Sequence, residues 1–179
     1  MKKNVLVCGL IGGVWLSIML VYSIYLCYTR EDFEGNMVLG FASMILAFSL
    51  IFIAVRNYRN KYNGGVITFG KAFKIGLYIA LIASSVYVLT WVIDYYLFVP
   101  DFMDKFTAHN MKIAEAKGAT AAELAEKTKE MNWYKDMYKS PLMVVLLTYM
   151  EVLPLGLIIA LIAALILKRK HKKEVVVTN

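Results

Sequence analysis

The sequence predicts an all-α membrane protein with four transmembrane helices and an extracytoplasmic helical hairpin between the third and fourth. Three observations predict this fold: an apolar composition, four long runs with almost no charge, and positive charge that alternates between loops. Hydrophobic residues make up 60% of the 179 residues, and the mean hydropathy is +0.59. Typical soluble domains are only about 45–50% apolar.

The four apolar runs cover residues 5–28, 37–55, 75–99 and 142–167 of a single membrane domain that occupies residues 1–179. The first two runs hold no charge, the third holds Asp94, and the fourth holds Glu151. A helix of about 20 residues crosses a hydrocarbon core of about 30 Å, so each run is long enough to span a bilayer.

The first run has a second interpretation as a cleaved signal peptide, because Lys2 and Lys3 precede it. The run is too long for a signal peptide and no small-residue cleavage site closes it, so we expect a retained span. Cys8 and Cys27 lie about 28 Å apart along this helix and cannot form a disulfide with each other. We expect both to behave as small buried apolar residues.

Positive charge predicts the orientation, because short cytoplasmic segments are rich in Lys and Arg. The N-terminus, the second loop and the tail at 168–179 are basic, and four spans place all three on one side. We therefore predict a multi-pass protein of the bacterial inner membrane with both termini in the cytoplasm. The second-loop cations have two interpretations, either as the topology signal or as a site for a phosphorylated lipid headgroup: Arg56, Arg59, Lys71 and Lys74.

Residues 100–140 form the predicted external hairpin. Pro100 can open its first helix, and Gly118 can end that helix. Thr120 and Glu123 have the spacing of a capping box for the second helix. The hairpin is neutral overall, which favours a lid or a docking surface over an electrostatic trap.

Glu151 is the most informative residue for function. It lies about 15 Å from the outer end of the fourth span, where a carboxylate is costly. Pro154 leaves the Met150 carbonyl without its usual N–H donor. Two hypotheses follow: a proton or cation site, or a neutral carboxylic acid that joins helices within the bundle or to a partner. The predicted intramembrane polar site adds hydroxyls at similar depth, namely Ser17, Ser49, Ser84 and Ser85. Asp94, in contrast, is expected to be hydrated among the aromatic residues of the outer interface.

Small residues recur every four positions on two spans, and such stripes allow close approach of helices. They predict packing within the monomer, with self-association as the alternative, at Gly9, Gly13, Gly156, Ala160 and Ala164. The sequence offers no arrangement of catalytic or metal-ligating residues, since His109 and His171 are isolated. We expect no cofactor, no metal and no nucleic-acid partner.

Motifs along almost the whole chain resemble the bacterial membrane family catalogued as domain of unknown function 4199. They are Gly40-Phe41, Met44-Ile45, Ala47, Ser49, Ile51-Phe52, Arg56-x-Tyr58-Arg59, the segment from Gly64 to Leu77, Pro100-Asp101-Phe102 and Glu151-x-x-Pro154-x-Gly156-Leu157. The resemblance implies a four-span inner-membrane protein of a Gram-negative envelope and implies no activity or substrate.

We therefore predict an integral membrane protein that serves as a non-enzymatic accessory or scaffold subunit of the cell envelope. Its expected partners are the bilayer and a membrane protein or a second copy of itself, which it would contact through the hairpin and the small-residue stripes. The alternative is a small transporter or lipid-handling protein that uses Glu151 as an intramembrane proton or cation site.

Overall fold

The computed structural model describes residues 2–30, 33 and 37–169, and its regular elements are helical. They are α1 (Lys2–Arg30), α2 (Met37–Tyr62), α3 (Phe69–Ile93), a π-helical turn (Asp94–Phe98), α4 (Phe102–Ala116), α5 (Ala121–Tyr138) and α6 (Pro141–Leu167). Most of the predicted tail, 170–179, lies outside the described residues.

Four helices are long and apolar enough to cross a membrane: Lys2–Arg30, Val38–Tyr62, Phe69–Phe98 and Pro141–Leu167. This confirms the prediction of four long apolar helices. Several helices extend beyond their apolar runs, by up to seven residues at the end of α2, because backbone hydrogen bonding continues into the polar flanks. In contrast, α3 ends at Ile93, before its run ends at residue 99.

The four long helices form one bundle with a constant register between neighbours. Between the parallel helices α1 and α3, Ser17 bonds Thr90 across 73 residues of sequence. Beyond the end of α3, Tyr28 of α1 bonds Asp101, which immediately precedes α4, across the same number of residues. Along the parallel pair α2 and α6, Arg59 bonds the Leu167 carbonyl across 108 residues. The antiparallel pair α3 and α6 packs closely, and α2 contacts both of its members.

Glycine allows this close packing at four positions inside the bundle. A Cβ at Gly13 would lie 2.6 Å from Val86 Cβ, and a Cβ at Gly9 would lie 2.8 Å from Ile82. A Cβ at Gly76 would lie 2.7 Å from Ala160 Cβ, and a Cβ at Gly156 would lie 2.9 Å from Ala80 Cβ. Every member of the two predicted stripes is buried in the single chain: Gly9, Gly13, Gly156, Ala160 and Ala164. These residues therefore pack within the monomer.

The helical hairpin between α3 and α6 consists of α4 and α5. Gly118 connects the two helices with a φ of 78°, a left-handed conformation that glycine adopts without a Cβ clash. The Thr120 N–H donates to Glu123 Oε2 at 2.7 Å, and the Glu123 N–H donates to Thr120 Oγ1 at 3.4 Å, so the predicted capping box is present. Lys135 of α5 pairs with Asp104 of α4.

The predicted role of Pro100 at the start of the hairpin is wrong in detail. Pro100 lies in a turn, and α4 begins only at Phe102 because the π-helical turn first redirects the chain. Ser140 occupies the N-cap position of α6 but makes no side-chain capping bond there, while Pro141 does begin the helix.

Replacing Thr120 by Ala is expected to cost about 1 kcal/mol of helix stability, because the first turn of α5 loses its capping acceptor. Hydrogen exchange should accelerate at residues 121–124. Thr128→Ala is the matched control, since the Thr128 hydroxyl bonds the Leu124 carbonyl within the helix. The hydrogen bonds from Thr120 lower the pKa of Glu123, so the contribution of the box is lost as the pH falls through that pKa. Equal exchange in both variants would contradict this assignment.

Candidate functional site

The Glu151 side chain is exposed at the surface of the helical bundle, although it belongs to α6, one of the four helices long and apolar enough to cross a membrane. Met150 (73% exposed) and Pro154 beside it are exposed as well. Val152, the residue after Glu151, has no accessible surface. Glu151 therefore lies at the edge of the packed face of α6, and the helix continues through Pro154 to Leu167.

Tyr87 of α3 lies near the level of Glu151 along the bundle and is only 8% exposed. The contacts of Gly76 with Ala160 and of Gly156 with Ala80 set a register that places Tyr87 about one turn or less from Glu151 along the helix axis. Tyr138 at the end of α5 is half-buried and packs against Tyr95, nearer the end of α3.

None of the serines of the predicted polar site is hydrogen-bonded to Glu151 in the described part of the chain. Ser17 bonds Thr90 Oγ1 at 2.8 Å, Ser49 bonds the Leu46 carbonyl at 2.6 Å, and Ser85 bonds Tyr149 at 2.7 Å. Ser84 is fully buried, and its hydroxyl has no hydrogen-bond partner among the described atoms. The structure therefore shows no hydrogen-bonded polar cluster of these serines with Glu151.

Asp94 differs from its expected hydrated position. It begins the π-helical turn and is 9% exposed, and its Oδ2 has no hydrogen-bond partner within the described residues. Asp94 is therefore buried against the bundle instead of exposed at its surface.

The outer end of α1 is joined to the start of the hairpin by a polar and aromatic network. Tyr28 donates to Asp101 Oδ1 at 2.6 Å, and Lys105 pairs with Asp101 Oδ2 at 2.9 Å. The Lys105 ammonium also lies 4.1 Å from the centre of the Tyr28 ring. The hydrogen bonds from Lys105 and Tyr28 lower the pKa of the Asp101 carboxyl.

A cavity of about 270 Å³ opens beside this network and was missed by sequence reasoning. It is lined by Tyr28, Phe33, Lys105, Ala108, His109 and Lys112. Positions 105, 109 and 112 fall on one face of α4, at the helical spacings of four and three residues. This spacing is a readable sequence signal, but the net charge of the whole loop, which is neutral, conceals it.

The second-loop cations lie at the opposite end of the bundle. Lys71 lies 5.7 Å from the centre of the Tyr58 ring, and Lys74 lies 5.9 Å from that of Tyr78. Arg59 is held by the Leu167 carbonyl at 3.2 Å, whereas Arg56 is exposed. The loop is also joined to the end of α6 by a two-bond bridge between Ile67 and Arg169. Arg59 therefore has a structural role at this end of the bundle. Arg56, Lys71 and Lys74 keep both interpretations, as a topology signal or as a site for a phosphorylated lipid headgroup.

Within residues 2–30, 33 and 37–169, no three His, Cys, Asp or Glu side chains are grouped closely enough to hold a metal ion. The four apolar helices define the class of a multi-pass membrane protein. A family model described as "Protein of unknown function (DUF4199)" matches residues 7–169. The chain therefore belongs to this family, as its motifs predicted. No curated protein and no solved structure matches the chain.

Proposed function

We propose that this protein is a non-enzymatic accessory or scaffold subunit of the bacterial inner membrane, and that it presents the α4–α5 hairpin to a partner outside the cytoplasm. The observation that carries the proposal is a stable hairpin whose second helix faces outwards. Trp133 on α5 is 53% exposed, although large aromatic residues are usually buried. Exposed tryptophans are frequent anchors of protein–protein interfaces.

The way in which the hairpin is held supports a docking role. Trp91 packs edge-on against Phe102 with ring centres 5.1 Å apart, and Tyr95 packs against Tyr138 at 5.3 Å. Aromatic contacts thus fix both ends of the hairpin to the end of α3. A preformed surface loses little conformational entropy on binding, so it suits a scaffold.

The proposal is tested by capture of the full-length tagged chain from native membranes in mild detergent. We expect wild type to retain a membrane-protein partner, and Trp133→Ala to lose it while folding normally. Tyr62→Ala is the matched control, because Tyr62 is a 64% exposed aromatic residue at the other end of the bundle. Equal capture by wild type and Trp133→Ala, or no partner in either, would contradict the proposal.

A second candidate function is a small transporter or lipid-handling protein, and the accessibility of Glu151 favours it. Complementation of a deletion phenotype at matched expression separates the two functions. Under the accessory function Glu151→Gln rescues fully, because it keeps hydrogen-bonding capacity. Under proton or cation coupling Glu151→Gln folds but fails to rescue, since Gln cannot exchange a proton or balance a cation.

A further inference from the structure

The end of the bundle opposite the hairpin carries only positive charge in its described ranges. The four long helices begin or end there, within residues 2–4, 56–74 and 168–169, and these ranges contain no Asp or Glu. Their charged residues are Lys2, Lys3, Arg56, Arg59, Lys61, Lys71, Lys74, Lys168 and Arg169. We call this surface the basic end.

Contacts between the helices join these ranges into one surface. The Asn4 side chain donates to the Ala54 carbonyl at 2.9 Å, which joins the start of α1 to the last turns of α2. Arg59 of α2 donates to a carbonyl at the end of α6 at 3.2 Å, and Ile67 and Arg169 exchange backbone hydrogen bonds of 2.9 and 2.8 Å. An orientation signal requires only that short loops be rich in cations. The structure goes further, because it holds together cations that lie far apart in the sequence.

Lys71 and Lys74 are each placed beside an aromatic ring and remain exposed. Their ammonium groups lie 5.7 Å from the centre of the Tyr58 ring and 5.9 Å from that of Tyr78, respectively. The two lysines are three residues apart on α3 and therefore lie on the same face of that helix. An ammonium group has three N–H donors, and within the described residues no hydrogen bond or ion pair uses those of Lys71 or Lys74. These donors are available to an acceptor from outside the chain.

Exposed aromatic surface lies beside these lysines. Phe69, at the start of α3, is 37% exposed and stacks on Phe73 with ring centres 6.1 Å apart. Tyr78, one turn beyond Lys74, is 42% exposed. Aromatic side chains are enriched at the level of lipid headgroups. A ligand that carries both negative charge and hydrocarbon therefore fits this surface better than a free inorganic anion does.

We propose that the basic end binds anionic phospholipids of the surrounding bilayer, and that Lys71 and Lys74 are the main contacts to the lipid phosphate. Each lysine contributes a point charge and N–H donors, the means by which lysine binds phosphate. The exposed ring of Phe69 contacts the hydrocarbon next to the headgroup. This site is independent of the accessory function, which concerns Trp133 at the other end of the bundle.

The test uses purified full-length protein in phosphatidylcholine vesicles that contain either spin-labelled phosphatidylglycerol or spin-labelled phosphatidylcholine. Electron spin resonance measures the fraction of each labelled lipid whose motion the protein restricts. We expect wild type to prefer phosphatidylglycerol at least about threefold, and the double variant Lys71→Gln, Lys74→Gln to lose most of this preference. Both leaflets contain the label, so the orientation in which the protein inserts does not affect the result.

Two double variants serve as controls for charge and position. Lys71→Arg, Lys74→Arg keeps the charge and should keep the preference. Lys117→Gln, Lys129→Gln removes the same charge from exposed positions of the hairpin region and should leave the preference close to that of wild type. Inorganic phosphate should lower the preference no more than sodium chloride of the same ionic strength, because both salts only screen the charges. Elution volume in gel filtration verifies that each variant is folded.

Equal association of the two labelled lipids with folded wild type, or an unchanged preference in Lys71→Gln, Lys74→Gln, would overturn the proposed site. An equally large loss in Lys117→Gln, Lys129→Gln would also overturn it, since net charge alone would then attract the lipid. Displacement of the labelled lipid by inorganic phosphate but not by sodium chloride would identify free phosphate as the ligand and overturn the lipid. The capture experiment with Trp133→Ala reads the other end of the bundle, so a failure there leaves this result standing, and the reverse also holds.

Discussion

Replacing Gly76 by Leu is expected to prevent the four-helix bundle from assembling. A Cβ at Gly76 would lie 2.7 Å from Ala160 Cβ, 3.0 Å from Ile51 Cγ2 and 3.1 Å from Ala160 Cα. Two of these atoms belong to Ala160 on α6, including its backbone, so no flexible side chain can move away. Overpacking of a filled core costs about 1–3 kcal/mol even for small additions, and we expect about 3 kcal/mol or more here.

The measurement is thermal unfolding in detergent, followed by the fraction of monodisperse protein in gel filtration. Gly40→Leu is the matched control, because a Cβ at Gly40 in α2 meets no atom within 4 Å. Gly40→Leu should remain folded, and Gly76→Leu should aggregate or fail to accumulate. A melting temperature of Gly76→Leu equal to that of wild type would show that α3 and α6 do not pack as described.

Trp91→Ala is expected to have the second-largest effect, because it releases the hairpin from the bundle. Trp91 is 6% exposed, and its ring centre lies 5.1 Å from that of Phe102 and 5.7 Å from that of Tyr95. Truncation of a buried tryptophan costs about 3–5 kcal/mol. Residues 102–138 should therefore lose protection from hydrogen exchange, while α1 and α2 keep theirs.

Trp133→Ala is the control for this measurement, since Trp133 is exposed and its removal leaves no cavity. It should leave hydrogen exchange in the hairpin almost unchanged. If residues 102–138 were equally protected from hydrogen exchange in Trp91→Ala and in Trp133→Ala, the hairpin would not be held by the aromatic contacts at its ends.

The parts of the fold that depend on local sequence could be predicted. The apolar runs predicted the four long helices, because the length and polarity of a run can be read from one continuous segment of sequence. The capping box of Thr120 and Glu123 was also readable, since both bonds form within four residues. The glycine and alanine stripes indicated close helix packing, but only the structure shows that the monomer itself buries them.

The arrangement around Glu151 could be predicted only in part, because depth in a span does not determine direction around the helix axis. Ser49 and Ser85 have suitable depth, yet each bonds a carbonyl of its own helix. The burial of Asp94 could not be predicted from its aromatic neighbours in sequence, because Asp94 is buried by packing in the folded chain.

The central claim is that the chain crosses the membrane four times and places the α4–α5 hairpin outside the cytoplasm. It is tested most directly by labelling single cysteines with a membrane-impermeant maleimide in intact cells, after Cys8 and Cys27 have been replaced by Ala. A cysteine at Gly118 should react in intact cells, whereas a cysteine at Lys61 should react only after the membrane is permeabilised. Reaction of the Lys61 position in intact cells, or of the Gly118 position only after permeabilisation, would contradict the account.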